Sequence, residues 1–223
     1  MVIGILIALQ INNWNERRKM KVTEIKALND IRSGLVRDKY TLDYIYDKHQ
    51  RAFQNCDSII NVMEGLEEIN KLTGKNFAAV NYYTNFYATK GAYESLKTIG
   101  FEIISNDTIR FETINLYEQW YSILQTNLDK HAGYILGSAT LHQNLFDKFS
   151  MVKKDDSSVG FFYEGEMIPI DMISLLKNPQ YTFFVKSMKE SHQAIIGLVL
   201  AMQRRVNRLF HEIEEEIDLL SEK

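Results

Sequence analysis

The sequence predicts a mainly α protein: an antiparallel helical bundle with long first and last helices. Three observations carry that prediction. No proline occurs before Pro169, and proline is the residue that most disrupts helix interiors. Positions 28, 31, 35, 38, 42, 45, 49, 52, 56, 59, 63 and 66 alternate in steps of three and four, and ten of these twelve are apolar. That is the heptad stripe of a helix packed against other helices, as in a coiled coil. A second stripe, Val199, Met202, Val206, Leu209, Ile213, Ile217 and Leu220, closes the chain.

The first long helix is expected from residue 14 to about 70. Asp38 and His49 interrupt its stripe. They are eleven residues apart, about 16 Å along a helix axis, so they cannot touch. The expectation is that the stripe drifts and both reach solvent, rather than forming a buried polar device. Thr73-Gly74-Lys75-Asn76 is the first break. An aromatic-rich stretch from Phe77 to Tyr93 follows, then a short helix that Gly100 ends, with Phe101 as the contact just beyond.

Ser105-Asn106-Asp107 is an N-cap signal, with Asp107 in the first turn where the helix dipole favours negative charge. That helix carries Ile109, Ile114, Tyr117, Trp120, Leu124 and Leu128 and is expected to run to about Phe149, with Gly133 and Gly137 weakening it. Lys153 to Ser158 reads as a polar loop. Val159 to Ile170 reads as a small hairpin turning at Glu164-Gly165-Glu166. Asn178-Pro179 marks a turn, and the last helix runs from there to about Leu220. Within it Arg208 lies four residues before Glu212, a pair worth a few tenths of a kcal/mol.

Composition bounds the function. At 223 residues the chain suffices for one good-sized domain or two small ones. With 45% hydrophobic and 25% charged residues, long disorder is excluded. The net charge of −3 supplies no basic field for nucleic acid, so none is expected as a partner. Cys56 is the one cysteine, which rules out an internal disulfide and a multi-cysteine zinc site.

The start of the chain carries the clearest signal. Val2 to Leu9 is apolar throughout, Gln10, Asn12 and Asn13 follow, then Trp14, then Glu16-Arg17-Arg18-Lys19. An apolar run giving way to amides, an aromatic at headgroup level and cations beyond is the order of residues leaving a bilayer. About eleven residues cover roughly 17 Å against a hydrocarbon core of ~30 Å, so the run alone is too short to span. On the residues alone, a span truncated at its start and a buried core helix end are equally good readings. A signal peptide would need a basic region before the apolar run, and none is present.

VIGILIALQINNWNERRK, Val2 to Lys19, resembles the span-exit motif of a bacterial family of uncharacterised single-span membrane proteins, a domain of unknown function. A second stretch, YESLKTIGFEIISNDTIRFETINLY from Tyr93 to Tyr117, matches it in the expected order. The resemblance implies a basic N-terminal stretch, one span ending in this motif, and a helical domain after it. The basic stretch and half the span are not in this sequence. Residues 1–13 are therefore expected to be the C-terminal part of a transmembrane helix, and 14–223 a helical bundle domain. Trp14, Arg17, Arg18 and Lys19 are the membrane-proximal residues. The cations after the span favour a cytoplasmic domain, and the basic start implied by the resemblance favours the reverse. The expected location is the bacterial inner membrane, single-pass, with an extracytoplasmic domain.

No catalytic chemistry stands out. A di-iron bundle needs Glu-x-x-His, but the residues three before His49, His131, His142, His192 and His211 are Tyr46, Leu128, Ala139, Lys189 and Arg208. His-Glu-x-x-His, phosphate-binding glycine loops and Gly-x-Ser-x-Gly are absent. The histidines are read as solvated or core residues, and no metal, cofactor or catalytic residue is assigned. Cys56, on the stripe beside Asp57, lacks the cationic setting of a reactive thiol and reads as core. Tyr82, Tyr83, Phe86, Tyr87 and Tyr93 are a speculative pocket, though rings at mixed spacing more often fill a core.

Five cations against Glu16 and Glu24 after Trp14 suit anionic lipid heads. The acidic end, Glu212 to Glu222, reads as a solvated face. The functional expectation is a non-enzymatic, membrane-anchored helical domain that binds a partner or senses a signal, with the bilayer contacted through the N-terminal segment. The alternative is a soluble scaffold or self-associating module with the apolar run buried in an interface.

Overall fold

A computed structural model describes residues 2–153 and 163–222. The chain is mainly helical, with long first and last helices and a small antiparallel two-stranded hairpin. Helix α1 spans Val2–Met63, α2 Gly74–Ala79, α3 Gly91–Ile99, α4 Asp107–Asn115, α5 Tyr121–Gly137 and α6 Ala139–Leu145. Strands β1 (Phe146–Lys153) and β2 (Tyr163–Pro169) form the hairpin; α7 (Met172–Lys177) and α8 (Pro179–Glu222) close the chain. Among the described residues no helix is long and apolar enough to cross a membrane.

The chain divides into two compact units, one of Met1–Leu42, Tyr87–Ile123 and Met202–Lys223, the other of Asp43–Phe86 and Leu124–Ala201. Both long helices contribute to each.

In the first unit, α1 buries Leu28, Ile31, Leu35 and Leu42, and α8 buries Met202, Val206, Leu209 and Ile213. These are stripe positions of the two helices. The Asn106 side chain caps α4 by accepting from the N–H groups of Thr108 and Ile109, satisfying donors that a helix start leaves open. Gly100 ends α3 at φ +99°, a conformation that only glycine adopts without strain. Phe101 packs on Tyr93, ring centroids 5.5 Å apart. One turn of π-helix, Leu116–Trp120, joins α4 to α5; Arg205 stacks 3.6 Å over the Trp120 ring. The Glu24 carboxylate accepts from the Ser105 N–H and hydroxyl at 2.6 and 2.7 Å.

Asp38 does not drift to solvent. It is fully buried, and its carboxylate accepts from the Thr89 N–H at 2.7 Å and the Tyr121 hydroxyl at 2.8 Å. Burial raises its pKa against the opposing pull of those two donors. The polar stripe position holds because Thr89 and Tyr121 supply the hydrogen bonds that water would otherwise provide.

In the second unit, a core of Cys56, Ile59, Phe77, Val80, Phe146, Met167, Tyr181 and Phe184 gathers α1, α2, the hairpin and α8. Two expected boundaries move. The first helix ends at Met63, and the chain turns at Gly65, φ +73°, ahead of the anticipated break at Thr73. The helix expected to reach Phe149 ends at Leu145, and Phe146–Lys153 is a strand. The expected loop and first strand, where they fall on 154–162, lie outside the described residues.

Gly165 is no turn residue; it lies within β2 opposite Met151. A Cβ there would stand 3.2 Å from the Ala78 Cβ and 3.1 Å from the Phe149 ring. Its role is close approach of β2 to α2, which is where a strand glycine belongs.

Two stability outcomes follow. Gly165→Ala lowers stability by about 1 kcal/mol, because the exposed Phe149 ring can swing aside and Ala78 cannot; an unchanged denaturant midpoint would contradict this. Asp38→Leu costs about 1–3 kcal/mol by leaving the Thr89 N–H and Tyr121 hydroxyl unsatisfied, whereas Asp38→Asn, which keeps an acceptor, loses less in the same melts.

Candidate functional site

The residues expected to be membrane-proximal lie where α1 is solvent-exposed. Trp14 is 61% exposed, the Arg18 guanidinium is 5.9 Å from its ring centroid, and Lys19 pairs with Glu16 at 3.0 Å. Arg17 is exposed on the same stretch.

The five aromatic pocket candidates fall in different units. Tyr87 and Tyr93 belong to the first, where Tyr93 is buried, stacks on Tyr117 at 4.6 Å and donates to Glu118 at 2.7 Å. Tyr82, Tyr83 and Phe86 belong to the second. Two clefts among the described residues lie in the second unit. One, of about 260 Å³, is walled by Lys130, His131, Tyr134, Ser187, Ser191 and Ile195. The other, of about 680 Å³, includes Tyr134, Leu141, Phe183 and Phe184. None of the five candidates lines either cleft.

The most unusual chemistry lies in the second unit and was not assigned from the sequence. His49 on α1, His131 on α5 and His192 on α8 are all buried, with ring centroids 4.6 to 5.2 Å apart. Each occupies a stripe position of its helix: Ile45-His49-Ala52, Leu128-His131-Ile135 and Met188-His192-Ile195, all buried. Heptad spacing therefore turns all three rings inward. One nitrogen from each lies within 4.8 Å of the others, a cluster size at which three imidazoles can share one ion.

The hydrogen bonds fix the tautomers. His192 Nε2 contacts the Val80 carbonyl at 3.1 Å, and His131 Nε2 contacts the Tyr82 carbonyl at 2.9 Å. A carbonyl only accepts, so both Nε2 atoms carry hydrogen, and in a neutral ring Nδ1 then holds the lone pair. His131 Nδ1 accepts from the Ser191 hydroxyl at 2.7 Å. His192 Nδ1 lies 2.8 Å from His49 Nδ1, which must then be the donor. That leaves the lone pair of His49 on Nε2, and among the described residues this buried atom has no partner. The Tyr82 ring meets His49 edge-on at 5.2 Å.

The trio is held neutral. Burial, then the neighbouring imidazoles, pulls the His49 pKa down to about 2; burial, then His131, pulls that of His192 to about 3. Burial lowers that of His131, against the pull of its bond to Tyr82. Nearby Cys56 is buried in the core, and its thiol is pushed up to about 12 by burial first and Asp57 second, so it is an inert packing residue.

A depressed histidine pKa means that the unfolded chain binds more protons than the folded one below the free value of about 6.5. Stability is then full above that pH and falls as pH drops toward 3. His49 and His192 each contribute about 1.4 kcal/mol per pH unit well below 6.5, and His131 adds to the same trend. In chelator-containing buffer, urea midpoints should fall steeply between pH 7 and 5. Midpoints flat over that range would show that the rings are not held neutral.

No curated protein and no solved structure matches the chain. A family model does match, over residues 1–157. The chain belongs to that family, a family of unknown function, DUF6090.

Proposed function

We propose that the chain is a non-enzymatic helical module held at a lipid bilayer by the apolar start of α1, where it binds a partner or senses a signal. One observation carries this reading. Ile3, Ile5, Leu6, Ile7, Leu9 and Ile11 are helical and all more than half exposed. At 100° per residue they spread over about 240° of the helix circumference, and exposed Ala8 sits in the remaining arc. An amphipathic helix that packs on a protein partner shows a stripe, whereas a helix apolar all round suits lipid. Burying these side chains is worth on the order of 10 kcal/mol. Trp14 and the Arg17, Arg18, Lys19 run follow at the positions where headgroups and anionic lipid would meet them. The stretch itself reaches about half-way through a ~30 Å hydrocarbon core.

Flotation with vesicles of mixed neutral and anionic phospholipid tests this. The wild-type chain should float with the vesicles, and an Ile5→Glu/Leu9→Glu variant should stay at the bottom. Replacing Arg17, Arg18 and Lys19 with Gln should weaken binding to the anionic vesicles by ~10²-fold, at about 1 kcal/mol per charge. A wild-type chain that forms a discrete oligomer and ignores vesicles would contradict the anchor and favour the soluble scaffold.

A further inference from the structure

The geometry points to His49, His131 and His192 as the ligands of a single borderline divalent metal ion, Zn2+ by the chemistry of the donors. Three imidazole nitrogens with no thiolate among them suit Zn2+ and its neighbours and disfavour Mg2+ and Ca2+, which take oxygen.

Three features of the site go beyond three histidines meeting in a core. The first is convergence: three separate helices each deliver one buried ring, and one nitrogen from each falls within 4.8 Å of the others. The second is the shell around the rings. The Nε2–H groups of His192 and His131 are tied to the Val80 and Tyr82 carbonyls, two residues apart in one segment. Metal-bound histidines use that arrangement to fix the tautomer and aim the other nitrogen at the ion. The third is the orphaned His49 Nε2, a buried lone pair with no donor. Leaving such an atom unmet costs about 1–3 kcal/mol, and the His49–His192 hydrogen bond, its direction set by the Val80 carbonyl, ends on this acceptor.

Metal binding exchanges the unmet lone pair for an Nε2–H on His49 and sets three metal–nitrogen bonds against that exchange. His131 and His192 ligate through Nδ1. His49 moves its proton from Nδ1 to Nε2 and ligates through the freed Nδ1. Three dative bonds then replace the His49–His192 and Ser191–His131 hydrogen bonds, and no net proton leaves, since all three rings start neutral. Zn–N bonds of about 2.0–2.1 Å place tetrahedral nitrogens about 3.3 Å apart. The 2.8 Å contact between His49 and His192 therefore opens by about half an ångström. His131 and Ser191 also wall the 260 Å³ cleft, which gives the ion a route in and water a route to the fourth position.

The test uses the full chain in detergent, stripped with chelator and titrated with ZnCl2. The expected result is one Zn2+ per chain at micromolar affinity or tighter, at least 100-fold weaker in His131→Gln and unchanged in His211→Ala, whose ring is exposed. Zinc-edge X-ray absorption of the wild-type complex should show three imidazole nitrogens, and that readout stands even if His131→Gln does not fold. The proposal is overturned by no saturable binding, by equal affinity in a folded His131→Gln, by loss of binding in His211→Ala, or by an absorption spectrum without imidazole scattering.

Discussion

A stripe repeating every three and four residues buries whatever stands on it. In α1 that rule carries Asp38 and His49 to full burial along with the leucines and isoleucines around them. Buried polar groups are stable only when their hydrogen bonds are met inside the protein. The two positions meet that demand differently. Asp38 is an acceptor and finds two donors, Thr89 and Tyr121. His49 finds other histidines, each itself in need of a partner.

Within the trio, His49 and His192 form a directional pair, and His131 is tied separately to the Tyr82 carbonyl and the Ser191 hydroxyl. The Val80 and Tyr82 carbonyls cannot donate, and that fixes the tautomers of all three rings. Direction has a consequence at the end of the pair, where the buried His49 Nε2 meets no donor among the described residues. An all-apolar substitute would avoid the difficulty, and nothing in the packing of Ile45, Leu128 or Ile195 demands a polar neighbour. The side chains that surround the trio are ordinary core residues, so the trio itself is the exceptional feature of the second unit. The proposed sensing or partner-binding module thus combines an exposed apolar start of α1, the proposed bilayer contact, with a chemically distinctive interior further along that helix.

Much of this was legible in the residues. The apolar positions of the stripe from Leu28 to Ile59 are all buried, although Asp38 and His49, expected at solvent, are buried with them; the Asn106 cap and the positive φ of Gly100 stand where the sequence puts them. Legibility ended where partners far along the chain decide. Phe146–Lys153 follows helical residues with no glycine or proline between, and becomes a strand because β2 pairs with it. Gly165 looks like a turn residue, and only the approach of Ala78 reveals its other use. The single-helix motifs Glu-x-x-His and His-Glu-x-x-His do not contain the three histidines, because each helix supplies only one of them. The signal that would have found them is weaker but present: Leu124-Leu128-His131-Ile135 and Met188-His192-Ile195-Val199 repeat the spacing of Ile45-His49-Ala52-Cys56. Three helices with one stripe histidine each can meet, though spacing alone does not say that they do.

The central claim is that hydrogen bonds to two backbone carbonyls fix the tautomers of three neutral rings in the core. Long-range 1H–15N correlation NMR of the metal-free chain at neutral pH reads ring protonation and tautomer directly. The account predicts Nε2–H tautomers for His131 and His192 and the Nδ1–H tautomer for His49. An imidazolium at any of the three, or an Nδ1–H tautomer at His192, would contradict it.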